Sequence, residues 1–137
     1  MRSISPTIET VETARRTQMI DVTDRVERAI EQSGVRDGFV IVFVEHTTAA
    51  VTIQENADPD VQHDLLMKLE MLVPQLETYY QHDEGNSDAH LKTATLGNSI
   101  TAIIDNGRMI LGRWQGIYFV EFDGPRERRM VIKIVGE

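Results

Sequence analysis

The run Gly38-Phe39-Val40-Ile41-Val42-Phe43-Val44 decides the fold of this chain. After its glycine it is continuously apolar over the length of a strand, and β-branched and aromatic side chains predominate in it. Runs of this kind are typical of strands buried inside a sheet, because a strand that faces water on one side alternates with polar residues. We therefore expect this segment at the centre of a sheet, against which its neighbours in the chain pack.

The segments before this run predict two strands and one helix. Strands are expected over 7–13 and 17–22, and the first is partly exposed because its apolar residues alternate imperfectly with polar ones. Thr23 is expected to cap a helix over 24–33, which Gly34 ends. The apolar face of that helix comprises Val26, Ala29 and Ile30.

The segments after the run predict more strands and a second helix. A strand is expected over 49–54, and Asp58 followed by Pro59 is typical of a helix start. The spacing of the apolar residues beyond Pro59 predicts that this helix continues to Val73.

The last third of the chain predicts two hairpins. One joins 100–104 to 108–111 across an Asp-Asn-Gly turn, and the other joins 114–122 to 130–135 across an Asp-Gly-Pro-Arg turn. Hairpins imply antiparallel pairing, and helices are inserted among the strands, so we predict a single α+β domain over 1–137. Its core is expected to be a bent antiparallel sheet or a β-sandwich-like pair of sheets with two to three helices. Periodicity does not distinguish these two arrangements.

Composition excludes several classes of function. The chain has 14 basic and 22 acidic residues, a net charge of −8, which disfavours binding to nucleic acid. It has no cysteine, which excludes thiolate nucleophiles and zinc–thiolate sites. No apolar run approaches the ~20 residues of a membrane span. The N-terminal residues lack the apolar core of a secretion signal, so a cytoplasmic location without membrane association is expected.

Three of the four histidines are candidates for one functional site. His46 follows the apolar strand, His82 lies in a loop, and His90 lies in the first turn of a short helix expected between Asn86 and Gly97. The positive end of the helix dipole disfavours imidazolium at His90 and keeps the ring neutral. A neutral imidazole is what a metal ion or a proton acceptor requires. Three histidines from separate elements could converge in one site.

Each of these histidines also has a structural interpretation. Taken singly, His46 could bond a backbone carbonyl, His82 could be an ordinary loop residue, and His90 could be satisfied by its own helix start. His63 is assigned to the polar side of its helix and excluded from the site. Trp114 is expected in the core.

Two other polar segments have alternative interpretations. Glu55 and Asn56 could form the turn before the Asp58 helix or take part in catalysis. Arg126 could be a solvated turn residue, but its planar guanidinium also suits phosphate.

Five separate segments of the chain resemble one family. They are His46-Thr47-Thr48-Ala49-Ala50, Gln54-Glu55-Asn56-Ala57-Asp58-Pro59, Glu84-Gly85-Asn86-Ser87-Asp88-Ala89-His90-Leu91-Lys92, Leu111-Gly112-Arg113-Trp114-Gln115-Gly116-Ile117 and Glu121-Phe122-Asp123-Gly124-Pro125-Arg126-Glu127-Arg128. On these segments the chain resembles the YjbQ-like family, also called secondary thiamine-phosphate synthase. The match begins near Ile20 and continues in order to the C-terminus. Five segments in order are far more specific than one short motif.

The resemblance implies an α+β domain with a bent or sandwich-like sheet, assembled as a homotrimer. It also implies a histidine cluster that binds a divalent metal, and the family's histidines correspond to His46, His82 and His90. The activity attributed to the family is a weak thiamine-phosphate synthase reaction, which joins a pyrimidine pyrophosphate to a thiazole phosphate and releases pyrophosphate. One departure is Gln54, where asparagine is expected in many members.

A mechanism follows as a hypothesis from these residues. Zinc suits three imidazoles best, with nickel, manganese or iron as alternatives, and a three-ligand site keeps one position open for phosphate or water. Glu55 is the candidate acid/base, and the three histidines are assigned to catalysis and to metal binding. A small phosphorylated substrate is expected. The residues assigned to its binding are Thr47, Thr48, Asn56, Asn86, Ser87, Gln115 and Arg126.

Two other functions stay open at this point. One is a metal-dependent hydrolase of phosphate esters, which would turn over a single substrate with metal-bound water as nucleophile. The other is a non-catalytic trimeric protein that binds a small ligand or an anion and shows no turnover with any metal.

Overall fold

The computed structural model describes all residues from 1 to 137 and contains nine strands and three helices. The strands are β1 (Arg2–Ser3), β2 (Thr7–Glu12), β3 (Gln18–Asp21), β4 (Asp37–Phe43), β5 (Ala49–Glu55), β6 (Ser99–Asp105), β7 (Arg108–Met109), β8 (Gln115–Glu121) and β9 (Glu127–Gly136). The helices are α1 (Thr23–Ser33), α2 (Pro59–Leu72) and α3 (Ser87–Leu96). The fold is the predicted α+β class.

Two antiparallel sheets form the framework. The larger has the order β1-β9-β4-β6-β7, with β2 also paired along β9, and the smaller has the order β3-β8-β5. β4 carries the apolar run that opened the sequence and pairs with β6 on one side and β9 on the other. The prediction of a central strand is therefore confirmed, and the core is the sandwich-like alternative.

The main core lies between the two sheets. It joins Val42 of β4 to Phe119 of β8 and Ile30 of α1, all of which are buried. A second cluster lies on the other face of the small sheet, where Val120 of β8 and Leu69 of α2 are among the packed residues. The small sheet is thus covered on both faces, by the large sheet on one side and by α2 and α3 on the other.

The predicted hairpin between 114–122 and 130–135 is wrong. β8 lies in the small sheet and β9 in the large one, so the turn between them carries the chain from one sheet to the other. The turn bonds to the segment before β3 instead, since Gly124 N–H donates to Arg16 O at 3.0 Å and Thr13 N–H donates to Arg126 O at 3.0 Å. An apolar pattern identifies a strand but not its partner, and these strands pair with other segments, β8 with β3 and β5 and β9 with β1, β2 and β4.

The predicted turn between β6 and β7 is confirmed. Asn106 and Gly107 both have positive φ, 53° and 82°, as the favoured two-residue hairpin turn requires. β7 is only two residues long, shorter than predicted.

Helix starts were predicted with mixed success. The Asp58 side chain accepts from Asp60 N–H at 2.9 Å, as its position before Pro59 predicts. Thr23 does not cap α1, because its hydroxyl donates to Asp21 Oδ1 at 2.6 Å and accepts from Ile117 N–H at 2.8 Å. None of the three helices has the length and apolar composition needed to cross a membrane.

Candidate functional site

A wholly polar cleft opens where β5 begins, β8 ends and α3 begins. Its volume is about 400 Å³, and no hydrophobic side chain lines it. The lining residues are Glu45, His46, Thr47, Thr48, Glu84, Asn86, His90, Asp123, Arg126 and Arg128. The fold thus brings together His46, His90, Thr47, Thr48, Asn86 and Arg126 from the predicted site, and we call this feature the polar cleft.

A buried ion pair forms the floor of the polar cleft. Arg128 Nε donates to Glu121 Oε1 at 2.7 Å, and Arg128 Nη2 donates to Thr48 Oγ1 at 2.8 Å. Burial alone would raise the pKa of Glu121, but hydrogen bonds from Arg128, Asp123 N–H and Thr13 outweigh it and hold that pKa below its usual value. The charge of Arg128 is therefore already balanced within the fold.

Arg126 is the more exposed of the two arginines that line the polar cleft. Its side chain is half exposed, and its hydrogen bonds are to Asp123 alone, from Nε to Asp123 O at 3.0 Å and from Nη2 to Asp123 Oδ2 at 3.2 Å. Its backbone is fixed because Arg126 N–H donates to Thr13 Oγ1 at 2.9 Å. Asp123 also accepts from Asn86 Nδ2 at 2.8 Å, which ties the turn to the start of α3. The guanidinium is thus carried by a turn whose backbone is held in place, and it can bind an anion there.

His46 is half-buried at the edge of the large sheet. Its Nε2 accepts a hydrogen bond from Arg129 N–H at 3.1 Å, and its carbonyl accepts from Asn98 Nδ2 at 2.8 Å. Burial first, and then the charge of Arg128, lower the pKa of His46 against the opposing effect of Glu121 and Glu45. The ring is therefore neutral near pH 7.

His82 and His90 lie edge to face, with ring centroids 5.6 Å apart and planes at 84°. His82 Nε2 lies 3.1 Å from Glu84 Oε2. His90 sits in the first turn of α3, where its N–H donates to Asn86 O at 3.3 Å. This contact between a loop and a helix start was expected from the sequence. His63, which was excluded, lies apart and faces solvent beside Asp64.

The start of α3 is held by a buried charge network that the sequence reading missed. Asp88 is fully buried and accepts from Arg16 Nη2 at 2.9 Å and from Lys92 Nζ at 2.9 Å. Burial would raise the pKa of Asp88, but the hydrogen bonds from Arg16 and Lys92 outweigh it and lower that pKa. The spacing of Asp88 and Lys92, one helical turn apart, was the available signal.

Asn86 occupies the N-cap position without capping. Its side chain makes no hydrogen bond to the helix, and its Oδ1 is buried without a partner. The helix start is thus left without a side-chain cap beside the polar cleft.

A second cavity of about 590 Å³ adjoins the polar cleft through His90. It is lined by Tyr79, Tyr80, Gln81, His82, Ser87, His90 and Leu91. Ser87, predicted to bind substrate, lies here rather than in the polar cleft. The two cavities differ in character, since one is wholly polar and the other is largely aromatic.

The structure does not bring Glu55, Asn56 and Gln115 to the polar cleft. In the β5–β8 ladder Glu55 pairs with Gln115, whereas the cleft lies at the opposite end, where Ala49 pairs with Glu121. Six residue steps at ~3.3 Å separate the two ends by about 20 Å. Glu55 Oε2 instead accepts from Asp58 N–H at 3.2 Å. The expectation that these residues share one site with the histidines is wrong within a single chain.

Residues 7–137 match the family described as UPF0047 protein YjbQ-like. The chain belongs to the YjbQ-like family. It is 47% identical over 127 residues to UPF0047 protein MJ1081 of Methanocaldococcus jannaschii, covering 93% of this chain and 91% of the relative. It is also 47% identical to UPF0047 protein YugU of Bacillus subtilis, covering 92% of this chain and 96% of that one.

Solved structures of YjbQ-like and similar proteins share the fold. A YjbQ/UPF0047-family protein of Clostridium acetobutylicum superposes with a TM-score of 0.92 at 49% identity, covering 94% of this chain and 99% of that one. The hypothetical protein APE1520 of Aeropyrum pernix has a TM-score of 0.92 at 37% identity, covering 98% of this chain and 100% of that one. The α+β architecture is therefore that of the YjbQ-like family.

The metal that the family resemblance implies fits this structure only in part. No three histidine, aspartate or glutamate side chains lie together so that they could hold one ion. The ring centroids of His82 and His90 are 5.6 Å apart, close to the roughly 5 Å expected for two imidazoles that share an ion at ~2.0–2.1 Å. Glu84 lies within hydrogen-bond distance of the His82 ring, as does the carboxylate that orients a metal-binding histidine in many proteins. His46 does not fit, because the lone pair of its Nε2 accepts from Arg129 N–H.

Proposed function

We propose that this YjbQ-like protein binds a small phosphorylated compound in the polar cleft and acts on it as a metal-dependent enzyme. The observation that carries the proposal is a cleft without hydrophobic lining, in which half-exposed Arg126 lies near His46 and His90. A guanidinium binds phosphate through two parallel hydrogen bonds, and neutral imidazoles add donors without repelling a metal. The other basic residue in the cleft, Arg128, is neutralised by Glu121.

The start of α3 supports a second contact with phosphate. A helix N-terminus carries unpaired N–H groups and a partial positive charge, and here no side chain caps it. The Arg16–Asp88–Lys92 network keeps this helix start rigid, so its N–H groups are oriented before a ligand arrives. Thr47 and Thr48 also line the polar cleft and supply hydroxyl groups.

His82 and His90 are the residues we propose to hold the metal, with zinc as the first candidate. Such an ion supplies charge neutralisation on a phosphate oxygen or a bound water of lowered pKa. The chain's own residues position the substrate. Arg126 positions the phosphate, and the adjoining aromatic cavity accommodates the remainder of a small compound.

The reaction we propose first is the thiamine-phosphate synthase type that the family resemblance implies. With Glu55 at the far end of the small sheet, the imidazoles are the candidate proton-transfer groups within the cleft. Glu55, Asn56 and Gln115 could act in this cleft only if another subunit supplied them. Hydrolysis of a phosphate ester at the same site and ligand binding without turnover are the alternatives.

We also propose that the protein is a homotrimer. The outer face of the large sheet exposes apolar side chains, with Ile8, Phe43 and Ile103 exposed by 55%, 45% and 60%. The register places Ile8 and Phe43 on either side of Val131, so Ile8, Val131 and Phe43 form a continuous surface. A face of this kind is typical of an interface between subunits. Light scattering at micromolar concentration should give three times 15.6 kDa, and a monomer mass would contradict the trimer.

The function is tested with protein purified without a histidine tag. Metal content is measured first, and phosphorylated metabolites are then screened for turnover with the metal restored. Arg126→Ala should weaken phosphate binding about tenfold or more, because a charge-assisted bidentate contact is lost. Arg28→Ala is the matched control, since Arg28 is exposed on α1 and does not line the cleft.

Three outcomes separate the candidate functions. Turnover that requires two substrates supports the transferase, and turnover of one phosphate ester supports the hydrolase. Tight binding of phosphate without turnover under any metal would replace both with a ligand-binding protein. Phosphate binding that is equal in wild type, Arg126→Ala and Arg28→Ala would refute the assignment of the polar cleft.

A further inference from the structure

We infer that His46 is a phosphate-binding residue that donates through Nδ1–H, and that it is not a ligand of the metal. This inference rests on the proposed phosphate site in the polar cleft. It assigns the three histidines two different roles: His82 and His90 bind the metal, and His46 binds phosphate.

The first step of the argument is the position of Arg129 in the large sheet. β9 pairs with β2 at Thr10–Arg129, but its pairing with β4 ends at Phe43–Val131. The N–H of Arg129 therefore lies beyond the end of β4 and has no strand partner there. His46 Nε2 accepts this N–H at 3.1 Å. The imidazole thus completes the hydrogen bonding of the sheet edge.

The second step is the tautomer that this bond requires. A neutral imidazole has one N–H and one lone pair, so a ring that accepts at Nε2 carries its proton on Nδ1. Burial and the charge of Arg128 lower the pKa of His46, so the neutral form prevails near pH 7. A metal ion needs a free lone pair, and His46 could provide it only if the backbone N–H of Arg129 lost its partner.

The third step is the accessibility of Nδ1. This atom makes no hydrogen bond within the chain and is not among the buried polar atoms without a partner, so it is accessible to a ligand, and His46 is one of the residues that line the polar cleft. The charged groups around the ring are Arg126 and Arg128, opposed by Glu45 and Glu121. Glu45 is paired with Arg129 and Glu121 with Arg128, which leaves the donor free to meet an anion beside Arg126.

The peptide around His46 is also held in place. Asn98 Nδ2 donates to the carbonyl of His46 at 2.8 Å and to that of Val44 at 3.1 Å. A donor fixed at both its backbone and its ring binds a phosphate oxygen without losing further conformational freedom.

The first experiment identifies the tautomer by long-range ¹H–¹⁵N correlation of the histidine rings in wild type. The expected result is an Nδ1–H tautomer at His46 that shifts on addition of inorganic phosphate and is unchanged by Zn²⁺. The signals of His82 and His90 should respond to Zn²⁺. A response of His46 to Zn²⁺ comparable to that of His90 would overturn the inference.

The second experiment measures Zn²⁺ and inorganic phosphate affinity separately in four variants. His46→Ala should bind phosphate about three- to tenfold more weakly, since one hydrogen bond is lost, and should keep its Zn²⁺ affinity. His46→Asn retains an N–H donor near the position of Nδ1 and should recover most of the phosphate affinity. His90→Ala should lose Zn²⁺ binding, and His63→Ala is the matched control that should change neither.

These outcomes distinguish the inference from the function on which it rests. If wild type binds phosphate and His46→Ala binds it equally well, the inference fails and the proposed function stands. If wild type binds no phosphate, both fail. Loss of Zn²⁺ affinity in both His46 variants would restore His46 as a metal ligand.

Discussion

The two ends of the β5–β8 ladder carry similar polar residues but use them differently. At the Ala49–Glu121 end, buried ion pairs support a cleft whose surface groups remain available to a ligand. At the Glu55–Gln115 end, the polar groups satisfy the fold itself, since Glu55 O accepts from Gln62 Nε2 at 2.6 Å. The comparison teaches that a polar residue after a strand is a candidate for function only when its side chain keeps hydrogen-bonding groups that the surrounding backbone does not use.

Acid pH should produce the largest loss of stability, because it acts on both buried networks at the cleft end. The folded pKa values of Glu121 and Asp88 lie below their unfolded values of about 4.3 and 3.9. Their contribution is therefore fully present from about pH 5 upward, above both unfolded pKa values, and is lost as pH falls through the folded pKa values. Urea denaturation across this range should show the loss. The free energy of unfolding of an Asp88→Asn variant should depend less steeply on pH than that of wild type. Equal slopes in the two proteins would contradict a lowered pKa of Asp88.

Glu121→Ala should be the most damaging single substitution. It leaves Arg128, which is 3% exposed, buried without its partner, and removing one member of a buried pair destabilises by about 3–5 kcal/mol. The measurement is the free energy of unfolding in urea at neutral pH. The double variant Glu121→Leu with Arg128→Met should recover part of the loss, because no charge is then left unpaired. A single variant as stable as wild type would show that the pair does not support the cleft.

Asp88→Asn should have a smaller effect, about 2–3 kcal/mol, because it removes charged hydrogen bonds while Glu70 still pairs with Lys92. Its second effect should be on the ligand site, since α3 loses its anchor to Arg16. Phosphate affinity measured alongside stability would test this. Asp24→Asn in the first turn of α1 is the control with the same chemistry away from the cleft.

Trp114→Ala should destabilise by only about 1 kcal/mol, because half of the side chain is already in water. The expectation from the sequence was a core residue, but Trp114 is 53% exposed, and the guanidinium of Arg113 lies over its ring, 4.7 Å from the ring centroid. Phe119→Ala, at a fully buried site, is the comparison and should destabilise by about 3–5 kcal/mol. Equal losses in the two variants would mean that Trp114 is covered in the assembled protein.

Glu55→Gln should have the smallest effect, within about 0.5 kcal/mol in stability, because the amide oxygen can still accept from Asp58 N–H. Phosphate affinity should also be unchanged if the far end of the ladder is only structural. A variant of normal stability that binds phosphate normally but does not turn over a substrate would contradict this interpretation. A neighbouring subunit would then bring Glu55 to the cleft of the next chain.

Local features of the sequence predicted the fold well where one residue determines one geometry. The central apolar run, the Asp58–Pro59 helix start and the Asn106–Gly107 turn all have direct physical signals. The assignment of β8 and β9 to different sheets has no local signal, because strand pairing depends on contacts far apart in the chain. For the same reason the sequence did not separate Glu55 from the histidines.

The candidate site was predicted by residue type but not by its supporting charges. His82 and His90 were expected near each other and are, whereas Arg16 was missed because its pair with Asp88 joins residues far apart in the chain and leaves no sequence pattern. Arg128, by contrast, belongs to a recognisable sequence pattern. It shares the alternation of Met130, Ile132 and Ile134 in β9, so its side chain had to face the interior. A charge on an inward position is a signal for a buried partner.

The central role of β9 has a consequence for how the protein is made. This strand pairs with β1, β2 and β4, all of which a ribosome synthesises well before it. Until β9 emerges, one edge of β4 is unpaired, and its apolar face is accessible to other chains. Folding is therefore dominated by contacts distant in sequence, which slows it. Nascent chains that stop before β9 should aggregate or bind chaperones, whereas chains that include it should become soluble and resistant to protease.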